Sequence, residues 1–233
     1  MGLGTVLGLG MVLYVVGFSI VDEYRLRTFD APDREPVTRP PVSASETREA
    51  EQLAADRIRL MKERNLTRLL LTDYRFTDRI TRKDMADPES IRKKLDEMLQ
   101  EMLRHLELPP VFTVAVIPDR DGAIAPDRGA ECNFPQHRIN FFLRGSETPE
   151  TLTAMLCHEC AHYFSYHHGM YEYKRFLLNE WNTDTVACLM GFSKYMLASD
   201  HGHYLKTEQL RAVRWTLLQE RKALSAAQAG QAS

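Results

Sequence analysis

Five residues in the second half of the chain, His158-Glu159-Cys160-Ala161-His162, narrow its possible structures more than any other stretch. An H-E-x-x-H pattern makes chemical sense on a helix, where a turn of about 3.6 residues stacks the two imidazoles within reach of one cation. At ~100° per residue, Thr151, Met155, His158, Glu159 and His162 share one side, whereas Thr153, Cys157, Cys160, Ala161 and Phe164 share the opposite, mostly apolar one. One side packs and the other carries chemistry. Thr148-Pro149-Glu150 supplies the start of the helix, with a hydroxyl N-cap, proline at N1 and an acid in the first turn.

Zinc suits two stacked histidines, and one Zn2+ per chain is the expected cofactor. Three protein ligands leave a fourth position open for water, whose pKa the metal lowers toward ~7, and Glu159 stands ready as general base. Cys157 and Cys160 overlap the pattern as C-x-x-C, which also occurs in redox pairs and metal sites. Their phase points them away from the histidines, as small buried side chains.

The third ligand has two candidates. His168 has the spacing of the metzincin pattern H-E-x-x-H-x-x-G-x-x-H, but Ser165 stands where that pattern has glycine. A helix that continues carries His168 roughly 80 to 120° away from the pair. The other candidate is Glu180, on a following helix, with Asp184 one turn later to accept the free N–H of a ligand histidine and fix its tautomer. The apolar run Val186 to Met190 that follows favours Glu180.

The chain has 233 residues, 44% of them hydrophobic, enough for one core. With 30 basic and 32 acidic side chains its net charge of −2 creates no global field for nucleic acid or anionic lipid, and nucleic acid is not expected as a partner. Four unevenly spaced cysteines do not make a secreted disulfide scaffold. Met1 to Val21 carries no charged side chain, and at about 1.5 Å per residue it spans a ~30 Å hydrocarbon layer. A cleaved signal peptide fits less well, because there is no basic leader and no small-x-small site after Ser19. Residues 1–22 are therefore read as a single-pass membrane anchor, and Arg25, Arg27 and Arg34 on its C-terminal side place the soluble part in the cytoplasm.

Residues 23–45 are a proline-rich spacer and 46–108 a charged helical region. Ser43 and Glu46 have capping-box spacing before a helix expected to run toward Leu71. Asp87-Pro88 opens a second, with Ile91, Leu95, Met98, Leu99, Met102 and Leu106 on its apolar face. Val111 to Ile117 and His137 to Leu143 read as strands, Leu178 to Leu197 and Thr207 to Leu224 as helices, and 225–233 as a disordered tail.

His158-Glu159-Cys160-Ala161-His162 followed by Asn179-Glu180-Trp181-Asn182-Thr183-Asp184 resembles the HExxH and ExxxD pattern of gluzincin zinc metallopeptidases. The nearest likeness is to compact forms related to the prenyl-protein peptidases or to the ImmA/IrrE type, and it covers roughly Val111 to Leu210. The resemblance implies an α+β fold, a mainly helical zincin-like domain over 109–224 with a small β-sheet. It further implies a zinc-dependent endopeptidase with His158, His162 and Glu180 as ligands and Glu159 as catalytic base, acting on a peptide or protein. Such enzymes use a His or Tyr to stabilise the oxyanion, a role for which His203 and Tyr204, beside His201, are available. His137 to Leu143 would be the edge strand that pairs with an extended peptide.

Two departures stand out: the multi-span character of the membrane gluzincins is missing, and Thr183 occupies a position where alanine is frequent. A non-catalytic zinc-bound interaction domain at the membrane is the alternative function, and a zinc hydrolase of a non-peptide amide is a third. Oligomeric state and cleavage specificity have no signature in the residues.

Overall fold

A computed structural model describes residues 42–119, 122, 124, 129–171, 176–199 and 203–231. The expected membrane span, most of the spacer and His201 lie outside the described residues. Val42–Ser233 forms one unit by itself.

It begins with helix α1, Ala44–Glu63, held by the expected capping box: Ser43 Oγ accepts the Glu46 N–H at 3.2 Å and the Glu46 carboxylate accepts the Ser43 N–H at 2.7 Å. Ala50, Ala54, Arg57, Ile58 and Met61 are its buried stripe. The helix does not reach Leu71. Asn65 adopts a left-handed φ of 59°, which asparagine tolerates better than most residues, and the chain restarts as the single turn α2, Thr67–Leu70. Helix α3, Pro88–His105, is capped by Asp87 on the N–H groups of Glu89 and Ser90, and buries Ile91, Leu95, Met98, Leu99, Met102 and Leu103.

Three strands follow, β1 (Thr113–Pro118), β2 (Ala130–Asn133) and β3 (Arg138–Leu143), in the order β1-β3-β2. β1 pairs parallel to β3, with Thr113 opposite Arg138, and β2 pairs antiparallel to β3, with Cys132 opposite Ile139. This corrects the expectation for His137 to Leu143, because β3 is the central strand. Ile139 to Leu143 are all buried, the near-continuous burial of a strand covered on both faces. β2, too short to stand out in the sequence, is an edge and packs against the motif helix.

That helix, α4, spans Pro149–His167 behind a Thr148 N-cap and is buried from Thr151 to Ala154 and from Leu156 to Ser165. It lies against α3, β2, the following helix α5 (Phe176–Ala187) and the short α6 (Ser193–Met196). The expected helix Leu178 to Leu197 is therefore broken. Between α5 and α6 the stretch Cys188–Phe192 winds as a wider π turn, with Gly191 at a non-helical φ of 97°. The last helix, α7, runs from Thr207 to Gln231, and so into the stretch 225–233 expected to be disordered. Ala223, Ala226, Ala227 and Ala229 explain the extension, since alanine loses least on entering a helix.

The result is a mostly helical α+β fold with one small sheet and one core that includes residues of helices and strands alike. Among the described residues no helix is long and apolar enough to cross a membrane.

Candidate metal centre

A helix buried nearly all round cannot leave polar side chains without partners at no cost, so the partners of α4 reveal its task. His158, Glu159 and His162 are each 5% exposed or less. Glu180 and Asp184, one turn apart on α5, come to meet them. His158 Nε2 and His162 Nε2 are 3.0 Å apart, and Glu180 Oε2 lies 3.0 Å from the first and 3.1 Å from the second.

The outer hydrogen bonds assign the tautomers. His158 Nδ1 is 2.7 Å from Asp184 Oδ1, so it carries the proton and donates. His162 Nδ1 is 3.3 Å from Thr183 Oγ1, whose own proton goes to the Asn179 carbonyl at 2.8 Å, so this nitrogen donates too. That leaves Nε2 of each ring facing the Glu180 carboxylate oxygen, the atom that a neutral imidazole offers to a cation. Three potential ligand atoms thus converge on one point.

Tetrahedral bonds of ~2.0–2.2 Å hold ligand atoms roughly 3.3–3.5 Å apart, so the observed triangle needs only a small expansion to hold a cation. His158, His162 and Glu180 are the group of described residues able to do so.

The electrostatics agree. Burial works against a charge on His158, but the Asp184 and Glu180 carboxylates outweigh it and push its pKa well above the usual imidazole value. Burial likewise works against a charged Glu180, yet His162 and His158 hold its carboxyl well below the usual carboxylate range. A negative potential that favours a proton also favours a metal ion.

Asp184 is itself fixed from behind. Its Oδ2 accepts the backbone N–H groups of Tyr204 and Leu205 at 2.6 and 2.7 Å. Glu159 sits differently: its Oε2 is buried and makes no hydrogen bond among the described residues.

The structure does not bring the other candidates to the same point. His168 caps the end of α4, its ring 4.4 Å from Phe164 and its carbonyl accepting Arg64 Nε–H at 2.6 Å. Without the metzincin glycine the chain makes no turn that would return this ring to the pair. Burial, with the neighbouring cations, lowers its pKa to about 4.

His203 is buried with both ring nitrogens 2.7 Å from backbone carbonyls, Leu205 O and Ser199 O, and so has neither nitrogen left for an oxyanion. Tyr204 does reach the site, its ring 5.5 Å from that of His158 and 39% exposed. Tyr171, which no sequence pattern marks, stands on the other side, 6.0 Å from the His162 ring. Thr183, a departure from the family pattern, orients His162. Cys157 and Cys160 are fully buried in the core, where desolvation pushes their thiols up, and neither belongs to the metal group.

Comparison with protein-family models, curated proteins and solved structures found no match to the chain. The reading of the site rests on its own geometry.

Proposed function

We propose that the chain is a zinc-dependent endopeptidase of gluzincin type, with His158, His162 and Glu180 holding the metal and Glu159 as general base. The observation that carries this is Glu159, buried one position along the helix from His158, whose Oε2 has no hydrogen-bond partner among the described residues. A metal site that is only structural has no need of a third buried acid beside Glu180 and Asp184, which costs several kcal/mol unless something at the site compensates it. When bound, zinc supplies an acidified water and polarises a carbonyl.

The protein does the rest. Glu159 takes a proton from the attacking water and delivers it to the leaving amine. Asp184 and Thr183 keep both ligand imidazoles in the Nε2-ligating tautomer. Tyr204, whose ring lies 5.5 Å from that of His158, is the candidate to donate to the oxyanion of the tetrahedral intermediate. The strand alongside α4 is β2, so a peptide bound by strand addition would lie along β2, not β3. A bilayer-anchored location for this activity rests on Met1 to Val21 alone.

The test is metal analysis of the full chain together with hydrolysis of quenched-fluorescence peptides, comparing wild type with Glu159→Gln. The expected result is one zinc in both and turnover only in the wild type. Equal turnover in both would remove the mechanism, and a loaded wild type inert toward every peptide would leave the interaction-domain reading in its place.

A further inference from the structure

Helix α7 buries Leu210, Val213 and Leu217 on one side, and turns a very different stripe outward. Arg211, Arg214, Trp215, Leu218 and Lys222 are three and four residues apart, share that stripe, and are all exposed. Trp215 is 58% exposed, with Lys222 Nζ 6.0 Å from its ring centre. Beside the stripe lies an open groove of about 410 Å³, lined by Leu197, Arg211, Arg214, Trp215 and Leu218. An indole, two leucines and two guanidinium-bearing side chains thus line one groove. The nearest acid on the stripe, Glu208, approaches Arg211 only at 3.8 Å and leaves the charge of the face positive.

We infer that this face of α7 docks on the headgroup layer of an anionic bilayer. The argument is complementarity of charge and of polarity. Tryptophan prefers the boundary between headgroups and acyl chains, where its ring is half in an apolar medium. Arginine and lysine on the same helix face pair with lipid phosphates, while their aliphatic stems extend the apolar area. The inference is independent of the metal centre, since no residue of the stripe belongs to that site.

The test uses the full chain reconstituted in vesicles of phosphatidylcholine, or of phosphatidylcholine mixed with phosphatidylglycerol, each with brominated acyl chains that quench tryptophan on contact. Trp215 emission is the difference between wild type and Trp215→Phe, which separates it from Trp181. Quenching is expected in the anionic vesicles and not in the neutral ones, falling with added salt. Each cation near such a surface contributes roughly fivefold in partitioning, so Arg211→Gln with Arg214→Gln should lose most of the quenching. A difference signal that is unquenched in both vesicle types, or quenched equally in both and indifferent to the double substitution, overturns the inference. So does shielding of Trp215 from iodide by a soluble acidic peptide when the anionic vesicles give none.

Discussion

Asp184 joins His158 to the loop after α6: Oδ1 takes the Nδ1 proton at 2.7 Å while Oδ2 takes the backbone N–H groups of Tyr204 and Leu205. The carboxylate sets a tautomer and a loop position at once. Asparagine keeps the volume but has only one oxygen. If that oxygen stays with the two backbone donors, the amide N–H₂ faces Nδ1, the imidazole proton moves to Nε2, and the lone pair needed by the metal is gone. Asp184→Asn should therefore bind zinc about 10- to 100-fold more weakly, measured by competition with a chromophoric chelator. Unchanged affinity would mean that the aspartate does not control the ring.

The third ligand separates two variants cleanly. Glu180→Ala removes the only carboxylate oxygen of the triangle and should lose most of the metal on dialysis. His168→Ala should keep it, because that ring packs on Phe164 instead of facing the pair; its cost is stability of roughly 1 kcal/mol, as for other ring contacts. Metal content by mass spectrometry of both proteins decides the matter, and the reverse result would place His168 in the site.

Local rules carried much of this fold into the sequence. The Ser43, Asp87 and Thr148 caps and the apolar stripe of α3 were legible because each depends on residues a turn or less apart. The pairing of His158 with His162 is equally local, but the choice between Glu180 and His168 beside them stayed open, because it depends on how two helices pack. What depended on distant neighbours was not legible. The order β1-β3-β2 requires knowing that a four-residue strand, Ala130-Glu131-Cys132-Asn133, exists and takes the edge. The break at Gly191 is hidden in an apolar run that reads as continuous helix. His203 resembled a free imidazole until its two carbonyl partners were in place, and Tyr171 had no pattern at all.

Cys157 and Cys160 test whether the C-x-x-C spacing matters chemically. Both are completely buried on the packed side of α4. Replacing both by alanine should retain one zinc per chain and reduce stability by about 1–2 kcal/mol through the space left behind. Denaturant unfolding with parallel metal analysis reads both quantities. A folded double variant without zinc would make the thiols ligands and undo the assignment.

Gly191 shows how the site-bearing helix is terminated. Its φ of 97° is a conformation side chains avoid, and a Cβ there would lie 2.6 Å from the Thr72 carbonyl oxygen and 3.0 Å from the Tyr74 nitrogen. The same glycine carbonyl accepts the Tyr74 N–H at 3.2 Å. Gly191→Ala therefore meets two penalties, about 1–3 kcal/mol for the backbone conformation and a further cost for separating the π turn from the Thr72–Tyr74 segment. Gly145 isolates the first penalty, since its φ is 83° but a Cβ there has nothing within 4 Å. Gly145→Ala should lower the melting temperature by a few degrees, at about 2–4 °C per kcal/mol for a chain of this size, and Gly191→Ala by clearly more. Calorimetry of the two variants checks the ordering. Equal shifts would mean that the packing of Thr72 against Gly191 yields freely, and that the break after α5 is set by conformation alone.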